Sequence, residues 1–484
     1  MADSSLTRRR LLKGGAALSA AGAAGLTARS LASPAHAFDA FQLLEPGPTS
    51  VGLGAATVNT WAYGSAVPGP LIRVDAGGLV HARLVNRMPQ PTTVHWHGIR
   101  IENAMDGAPN TQPLTGQNQS FDYRFTAPDP GTYFYHSHYG TQLDRGVYGP
   151  LIVDDPNEPL SYDVEFVVVI DDWIDGTGTT PDAVMTAMHN GTLNSPSMYA
   201  STLGGQAGHV SYPYHLINGR TPSHPVTFNA SPGQRARIRL INAGSDTAYR
   251  VALGGHRLTV THTDGFPCDH VTVDTLLIGM GERYDVLVTL GGGVFPLVAS
   301  AEGKNARAFA LVRTGAGTAP APTVSVPQLS GTLLSLAQLS AAPSVDLPSR
   351  PIDLTVRMFL GMGPLGMTWS ISTSPGGTPQ NALRVRVEQH QRIRLQFTNA
   401  TPIWHPVHLH GHTFQIRGAG QGPRKDTFII KPNETITADI DADNVGEWML
   451  HCHNLYHSEL GMMATLGYGP TPTLTGGTPA HQGH

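Results

Sequence analysis

The stretch His451-Cys452-His453-Asn454-Leu455-Tyr456-His457-Ser458-Glu459-Leu460-Gly461-Met462-Met463 decides how the rest of the chain is read. It carries one of only two cysteines among 484 residues, with histidine on both sides, another histidine five residues later and a methionine ten residues later. A thiolate, two imidazoles and a weak thioether are the donors of a blue-copper electron-transfer site: the thiolate gives a covalent path to the metal and the axial methionine tunes its potential. Cys452, His457 and Met462 supply three of the four donors. The second imidazole must come from elsewhere.

Four His-x-His pairs run outward from this stretch: His95/His97, His136/His138, His408/His410 and His451/His453. Residues i and i+2 of a strand point to one face, roughly 6 to 7 Å apart, so each pair offers two imidazoles to one cavity. In His451-Cys452-His453 the cysteine must point away from its neighbours. In His405-Pro406-Val407-His408-Leu409-His410, His405 has the parity opposite to His408 and His410, which places it on the cysteine side as the missing imidazole. One His-x-His pair alone reads better as a zinc or iron site of another fold, or as a core histidine. Four pairs with a parity-consistent Cys/His/Met set do not. Zinc, with no electron to pass, has no use for a thiolate between two imidazoles.

Charged residues make up 14% of the chain, and Gly (55) and Pro (38) are abundant. That profile suits short strands joined by turns, in sandwiches or barrels. The net charge is -4 with Lys and Arg scattered, which leaves no basic face and excludes a nucleic-acid partner. Residues 1–37 stand apart. Thr7-Arg8-Arg9-Arg10-Leu11-Leu12-Lys13, an Ala/Gly-rich run and Ala35-His36-Ala37 resemble a twin-arginine export signal with its cleavage site. A membrane anchor fits poorly, because the apolar run is short, glycine-rich and interrupted by Arg29. The expected partner is the twin-arginine translocase, and the expected location is periplasmic or extracellular, with a mature chain starting near Phe38. An exported chain with two cysteines invites a disulfide. With Cys452 taken as a metal thiolate, Cys268 reads as a lone structural thiol in the loop after Asp264-Gly265.

Three segments share a turn, then alternating Arg and aliphatic residues at strand period, then Asn: 74–86, 228–243 and 387–400. A strand follows each, carrying His95-Trp96-His97, Val251 to His256, and His408-Leu409-His410. Pro130-Gly131-Thr132-Tyr133, Gly281-Glu282-Arg283-Tyr284 and Gly446-Glu447-Trp448 read as a second recurring feature leading into a closing strand. Three units imply three related β-sandwich domains: 38–156, 157–315 and 348–470. Residues 316–347 form a Pro/Ala/Ser/Thr-rich linker whose LSGTLLSLAQL run can lie on a neighbour's surface. Residues 471–484 form a tail expected to be disordered.

His95-Trp96-His97-Gly98, His136-Ser137-His138, His405 to Gly411 and His451 to Met463 together resemble the four copper motifs of the multicopper oxidases, across essentially the whole mature chain. The resemblance implies an all-β chain of three cupredoxin-like Greek-key domains, the middle one without ligands. It implies four copper ions: one type 1 at His405, Cys452, His457 and Met462; one type 2 at His95 and His408; and two type 3, at His97, His136, His453 and at His138, His410, His451. It also implies dioxygen as acceptor, reduced to water by four electrons that pass singly through Cys452. An acid is needed near the oxygen site. Asp106 resembles the family's acidic residue there, although it also reads as a surface turn. Bacterial laccases commonly carry Glu directly after the second type 1 histidine. Here Ser458 takes that place, and Glu459 comes one residue late.

The donor is less legible. Met185, Met188, His189, Met198 and Met358, Met362, Met367 are candidate sites for cuprous ion, the methionines reading otherwise as core filler. WIDG (173–176), YPYHLINGR (212–220) and AEGKNARA (301–308) are similar to exported copper-tolerance oxidases and laccase-like enzymes, leaving cuprous ion and phenols as expected reductants. The alternative functions are an extracytoplasmic copper-binding protein without turnover and a scaffold that has lost its copper. The full ligand set argues against the scaffold. Eight paired imidazoles argue against a two-domain nitrite reductase.

Overall fold

The computed structural model describes residues 40–195, 198–374, 383–418, 421–469 and 474–476. The expected export signal, 1–37, lies outside the described residues, as does the expected tail apart from 474–476.

Three β-sandwiches follow one another, each built on one of the Arg/aliphatic segments. Leu79–Val85 pairs parallel with Ala40–Leu44 and antiparallel with Ser120–Thr126. Arg235–Asn242 pairs in the same way with Val164–Trp173 and Arg283–Thr289, and Arg392–Asn399 with Leu354–Met362 and Thr435–Asp441. The aliphatic residues of each strand enter the core of their own sandwich. The arginines answer an aspartate directly across the ladder: Arg83 opposite Asp122, Arg239 opposite Asp285, Arg394 opposite Asp439. Opposite charges so placed stabilise a sheet by a few tenths of a kcal/mol to about 1 kcal/mol.

The asparagine that ends each segment has one job in all three sandwiches. The Nδ2 of Asn86, Asn242 and Asn399 donates to two carbonyls, and the Oδ1 accepts a backbone N–H two residues on, from Met88, Gly244 and Thr401. All three are buried. Each turns the chain off the first sheet and aims it at the second, where His95 and His405 stand in the outer sandwiches.

In the second sheets, His95–His97 pairs with Gly131–His136, and His405–Leu409 with Glu447–Cys452. The equivalent pair in the middle sandwich is Tyr249–Leu253 with Val294–Ala301. This corrects the reading of Gly281-Glu282-Arg283-Tyr284 as a closing turn. Arg283–Thr289 lies in the first sheet, beside Arg235–Asn242, and the true closing strand of the middle sandwich carries no histidine.

Residues 316–347 lie on the sandwiches rather than hanging free. Leu334 and Leu339 join the middle core, the Ala341 N–H donates to Gly422 O, and the Leu347 N–H donates to Gln415 Oε1. Cys268 sits buried on the strand Phe266–Val273, not in a loop. The tail departs from expectation as well: Leu474–Gly476 pairs antiparallel with Leu383–Val385 at the edge of the third sandwich. Met188, Met198 and Met358 are buried in apolar clusters, which is the packing role of methionine.

Candidate metal centre

The strand Glu447–Cys452 divides two clusters of donors. Val407 stands opposite Cys452, and His408 opposite His451, so the two strands present cysteine-side and histidine-side residues to opposite faces. On the first face Cys452 Sγ lies 3.5 Å from His405 Nδ1 and 3.7 Å from His457 Nδ1, and the two Nδ1 atoms are 3.1 Å apart. Met462 is fully buried and closes this site by backbone: its N–H donates to His457 O, and its carbonyl accepts from the Cys452 N–H. Trp369 stacks on His457 with ring centroids 3.9 Å apart, and His209 meets the same imidazole edge-on.

On the other face eight imidazoles converge, four from each outer sandwich. The nitrogens of His97, His136 and His453 form one compact set and those of His138, His410 and His451 another; His95 and His408 group with His97. The Nε2 atoms of His410 and His451 are 3.1 Å apart, and those of His138 and His451 3.4 Å. A metal bonded at roughly 2.0 to 2.3 Å sets neighbouring donors about 3 to 4 Å apart.

Several inward nitrogens are buried without a partner: Nε2 of His95, His136, His408 and His453, and Nδ1 of His97. Except in His453, where neither ring nitrogen has a hydrogen-bond partner, the opposite ring nitrogens are occupied. Nδ1–H of His95, His136, His408 and His451 donates to the carbonyls of Asp106, Ser137, Asp426 and Cys452. Nε2–H of His405 donates to Thr401 Oγ1 at 2.7 Å, and Nε2–H of His97 to Thr427 Oγ1 at 3.1 Å. Locking one nitrogen by hydrogen bonding fixes the tautomer and points a lone pair at the metal position. Burial holds the imidazoles of His97, His136, His138, His410, His451 and His453 well below the ordinary histidine range and brings His405 down to about 3, so they are neutral donors. Burial pushes the Cys452 thiol up, and a cation would be needed to hold it as thiolate. Lone pairs with no other partner, a soft sulfur and borderline nitrogens fit copper.

Two carboxylates hold the eight-histidine set. Asp106 is buried, with Oδ2 2.9 Å from His410 Nδ1 and Oδ1 3.3 Å from His95 Nδ1. Burial by itself would raise its pKa, but the His410 and His95 N–H donors keep it well below the usual carboxylate range. Asp426 lies 3.2 Å from His97 Nε2 and takes both arms of the Arg283 guanidinium at 2.6 Å. Arg283 comes from the ligand-free middle sandwich. Sequence reasoning missed Asp426 and Arg283, because nothing local marks a charged residue that will be buried. Gly98 has one trace of them: with φ +87, a Cβ there would sit 2.2 Å from Arg283 Nη2. Ser458 is buried with Oγ 3.4 Å from His451 Nδ1, and Ser458 and Glu459 line a small cavity with His136, His138, His451 and His453.

Against known proteins, residues 49–158, 165–318 and 359–471 each match a family model described as Multicopper oxidase. The chain belongs to the multicopper oxidase family, an oxidoreductase family whose metal is copper, and its all-β cupredoxin-like fold is the one expected. Multicopper oxidase MmcO from Mycobacterium tuberculosis is 46% identical over 93% of this chain and 92% of its own length. Copper resistance protein A from Escherichia coli is 26% identical over 94% of this chain and 98% of its own. Among solved structures, the L499M mutant of the laccase from B. aclada is 25% identical with a TM-score of 0.74, over 92% of this chain and 93% of its own. Fet3p, a multicopper oxidase that functions in iron import, shares the fold at a TM-score of 0.75 and 21% identity, covering 89% and 91%. Among the described residues no helix is long and apolar enough to cross a membrane.

Proposed function

We propose that this oxidase couples the one-electron oxidation of cuprous ion and of phenols to the four-electron reduction of dioxygen to water, as part of copper tolerance. The observation that carries the reading is Cys452 between His451 and His453: its two flanking peptide bonds join the three-donor site to the eight-histidine site through covalent bonds. In this reading His405, Cys452, His457 and Met462 hold type 1 copper, His95 and His408 type 2, and His97, His136, His453 and His138, His410, His451 the type 3 pair. Four such ions would supply four one-electron centres, the number that takes dioxygen to water without releasing peroxide.

The roles of the protein's own groups follow from their contacts. Asp106 orients His410 and His95 and is the acidic group at the oxygen side. Ser458 and Glu459, at the cavity beside His451, lie on a route for protons; an undiminished oxygen-reduction rate in Glu459→Gln would remove Glu459 from it. His457 has no exposed surface and lies under Trp369 and His209. No donor of either kind touches that imidazole directly, so electrons reach it through the side chains that cover it. The names of two relatives, copper resistance protein A and laccase, support the same pair of donors. Four cuprous ions, one dioxygen and four protons give four cupric ions and two waters. Export of the folded chain by the twin-arginine translocase, to the periplasm or cell exterior, completes the proposal.

Steady-state oxygen uptake by the copper-loaded protein, with cuprous ion and a simple phenol compared, tests it. Uptake with both is expected. A blue protein that takes up no oxygen with either donor would instead be a copper-binding protein without turnover.

A further inference from the structure

The residue after the Cys452 motif is fastened to the middle sandwich. Three contacts of Asn454 tie the metal site to its neighbour. Its backbone N–H points at Cys452 Sγ, 3.4 Å away. Its Oδ1 accepts the His457 N–H at 3.3 Å and so caps the short helix Leu455–Glu459 that carries His457. Its Nδ2 donates to Asp246 Oδ1 at 2.7 Å. Asp246 belongs to the middle sandwich and is wholly buried. Its other oxygen accepts the N–H groups of His209 and Val210, both at 2.9 Å, and Lys304 Nζ at 2.8 Å. Lys304 comes from the AEGKNARA segment, and its side chain is buried against Asp246 and Thr247. The next residue repeats the attachment: the Leu455 N–H donates to Ser245 O at 3.1 Å. Asp172 in turn holds the Ser245 and Asp246 N–H groups, so the docking loop is itself fixed.

We propose that the Asp246–Lys304 pair of the ligand-free middle sandwich holds Asn454 so that its peptide N–H stays on the Cys452 sulfur, and that this clamp sets the colour and potential of the type 1 site. The inference rests on the reading of His405, Cys452 and His457 as that site. An N–H donated to a thiolate draws electron density off the sulfur, weakens its donation to cupric ion and raises the potential; hydrogen bonding at this sulfur is a known lever on blue-copper sites. Asparagine is the side chain that does both tasks, because its oxygen caps the helix while its amide N–H reaches Asp246. Serine would cap equally well but has no amide to extend to Asp246. Aspartate would cap and then face a buried carboxylate. The bond to Asp246 has a charged acceptor, roughly twice as strong as a neutral one. Lys304 compensates that charge, without which a buried carboxylate would be costly.

The test uses the full, copper-loaded chain and reads copper content, the blue charge-transfer band and the type 1 potential. Asn454→Ser keeps the cap and removes the clamp. Asp246→Asn combined with Lys304→Met removes both charges together and leaves neither buried alone. The expected result is full copper content, a shifted blue band and a lowered potential in Asn454→Ser, with a smaller shift of the same sign in the charge-free pair. Combining all three substitutions should shift the site no further than Asn454→Ser alone, because groups acting through one contact are not additive. An unchanged band and potential in fully loaded Asn454→Ser would overturn the proposal, as would additive shifts. If the pair variant does not fold, Asn454→Ser decides alone. A fully loaded wild-type protein without a blue band would overturn the type 1 reading itself, a result distinct from a blue wild type with unmoved variants.

Discussion

The two donor clusters on either side of Cys452 are built in different ways. The eight-histidine cluster takes four imidazoles from the first sandwich and four from the third, and its two supporting carboxylates bridge them: Asp106 of the first holds His410 of the third, and Asp426 of the third lies against His97 of the first. Neither sandwich could form it alone. The three-donor cluster takes all its donors from the third sandwich, and the middle sandwich meets it through Asn454 and through His209, which lies edge-on to His457. One centre is therefore an assembly that reports on domain docking, and the other is a local site that its neighbour adjusts.

Separating the clusters by mutation sharpens this contrast. The largest effect is expected from Cys452→Ser, which removes the thiolate that would tie the metal to the covalent path. Absorption spectroscopy and oxygen uptake should show no blue band and donor-driven turnover at background, while the eight-histidine cluster, with no ligand altered, keeps its copper. Asp106→Asn does the reverse. Loss of the charged acceptor that orients His410 and His95 should lower oxygen reduction by about 10- to 100-fold, the usual cost of losing such a support, with the blue band in place. A bleached band in Asp106→Asn would mean that the two centres are not independent.

A smaller effect is expected where the first and second sandwiches dock. Glu165 of the middle sandwich lies between Arg239 of its own strand neighbour and Arg73 of the first sandwich. Burial alone would raise its pKa; the Arg239 and Arg73 guanidiniums bring it from 4.5 down to about 2. A depressed carboxylate contributes stability that is present above its unfolded pKa and lost as pH falls through its folded one. The chain should therefore lose on the order of 2–3 kcal/mol from this group between about pH 4.5 and 2. Denaturant midpoints taken across that window should show the loss in wild type. Glu165→Gln should be less stable at neutral pH and show a shallower dependence on acid.

Much of the site was legible because strand parity is a strong rule. The spacing of His405, His408 and His410 around Cys452 is enough to sort donors onto two faces, and the Arg/aliphatic alternation ending in Asn marks the same strand in all three sandwiches. The supports were not legible, for a physical reason. Asp426, Arg283, Asp246 and Lys304 are charged residues whose roles depend on burial against partners more than a hundred residues away in the case of Arg283 with Asp426 and more than fifty in the case of Lys304 with Asp246. No local pattern carries such information. The Gly281-Glu282-Arg283-Tyr284 segment shows the complementary error. It resembles a closing turn in composition, yet the strand it begins lies in the other sheet, and its arginine supports Asp426 instead.

The central claim is that one strand joins a local thiolate site to an assembled oxygen site. Titration of the metal-free protein with copper, followed by visible absorption and electron paramagnetic resonance, tests it most directly. The account predicts about four copper ions per chain: one blue, one paramagnetic without the blue band, and a pair silent to resonance. Saturation with a single blue copper, or with paramagnetic copper at every position and no blue band, would contradict it.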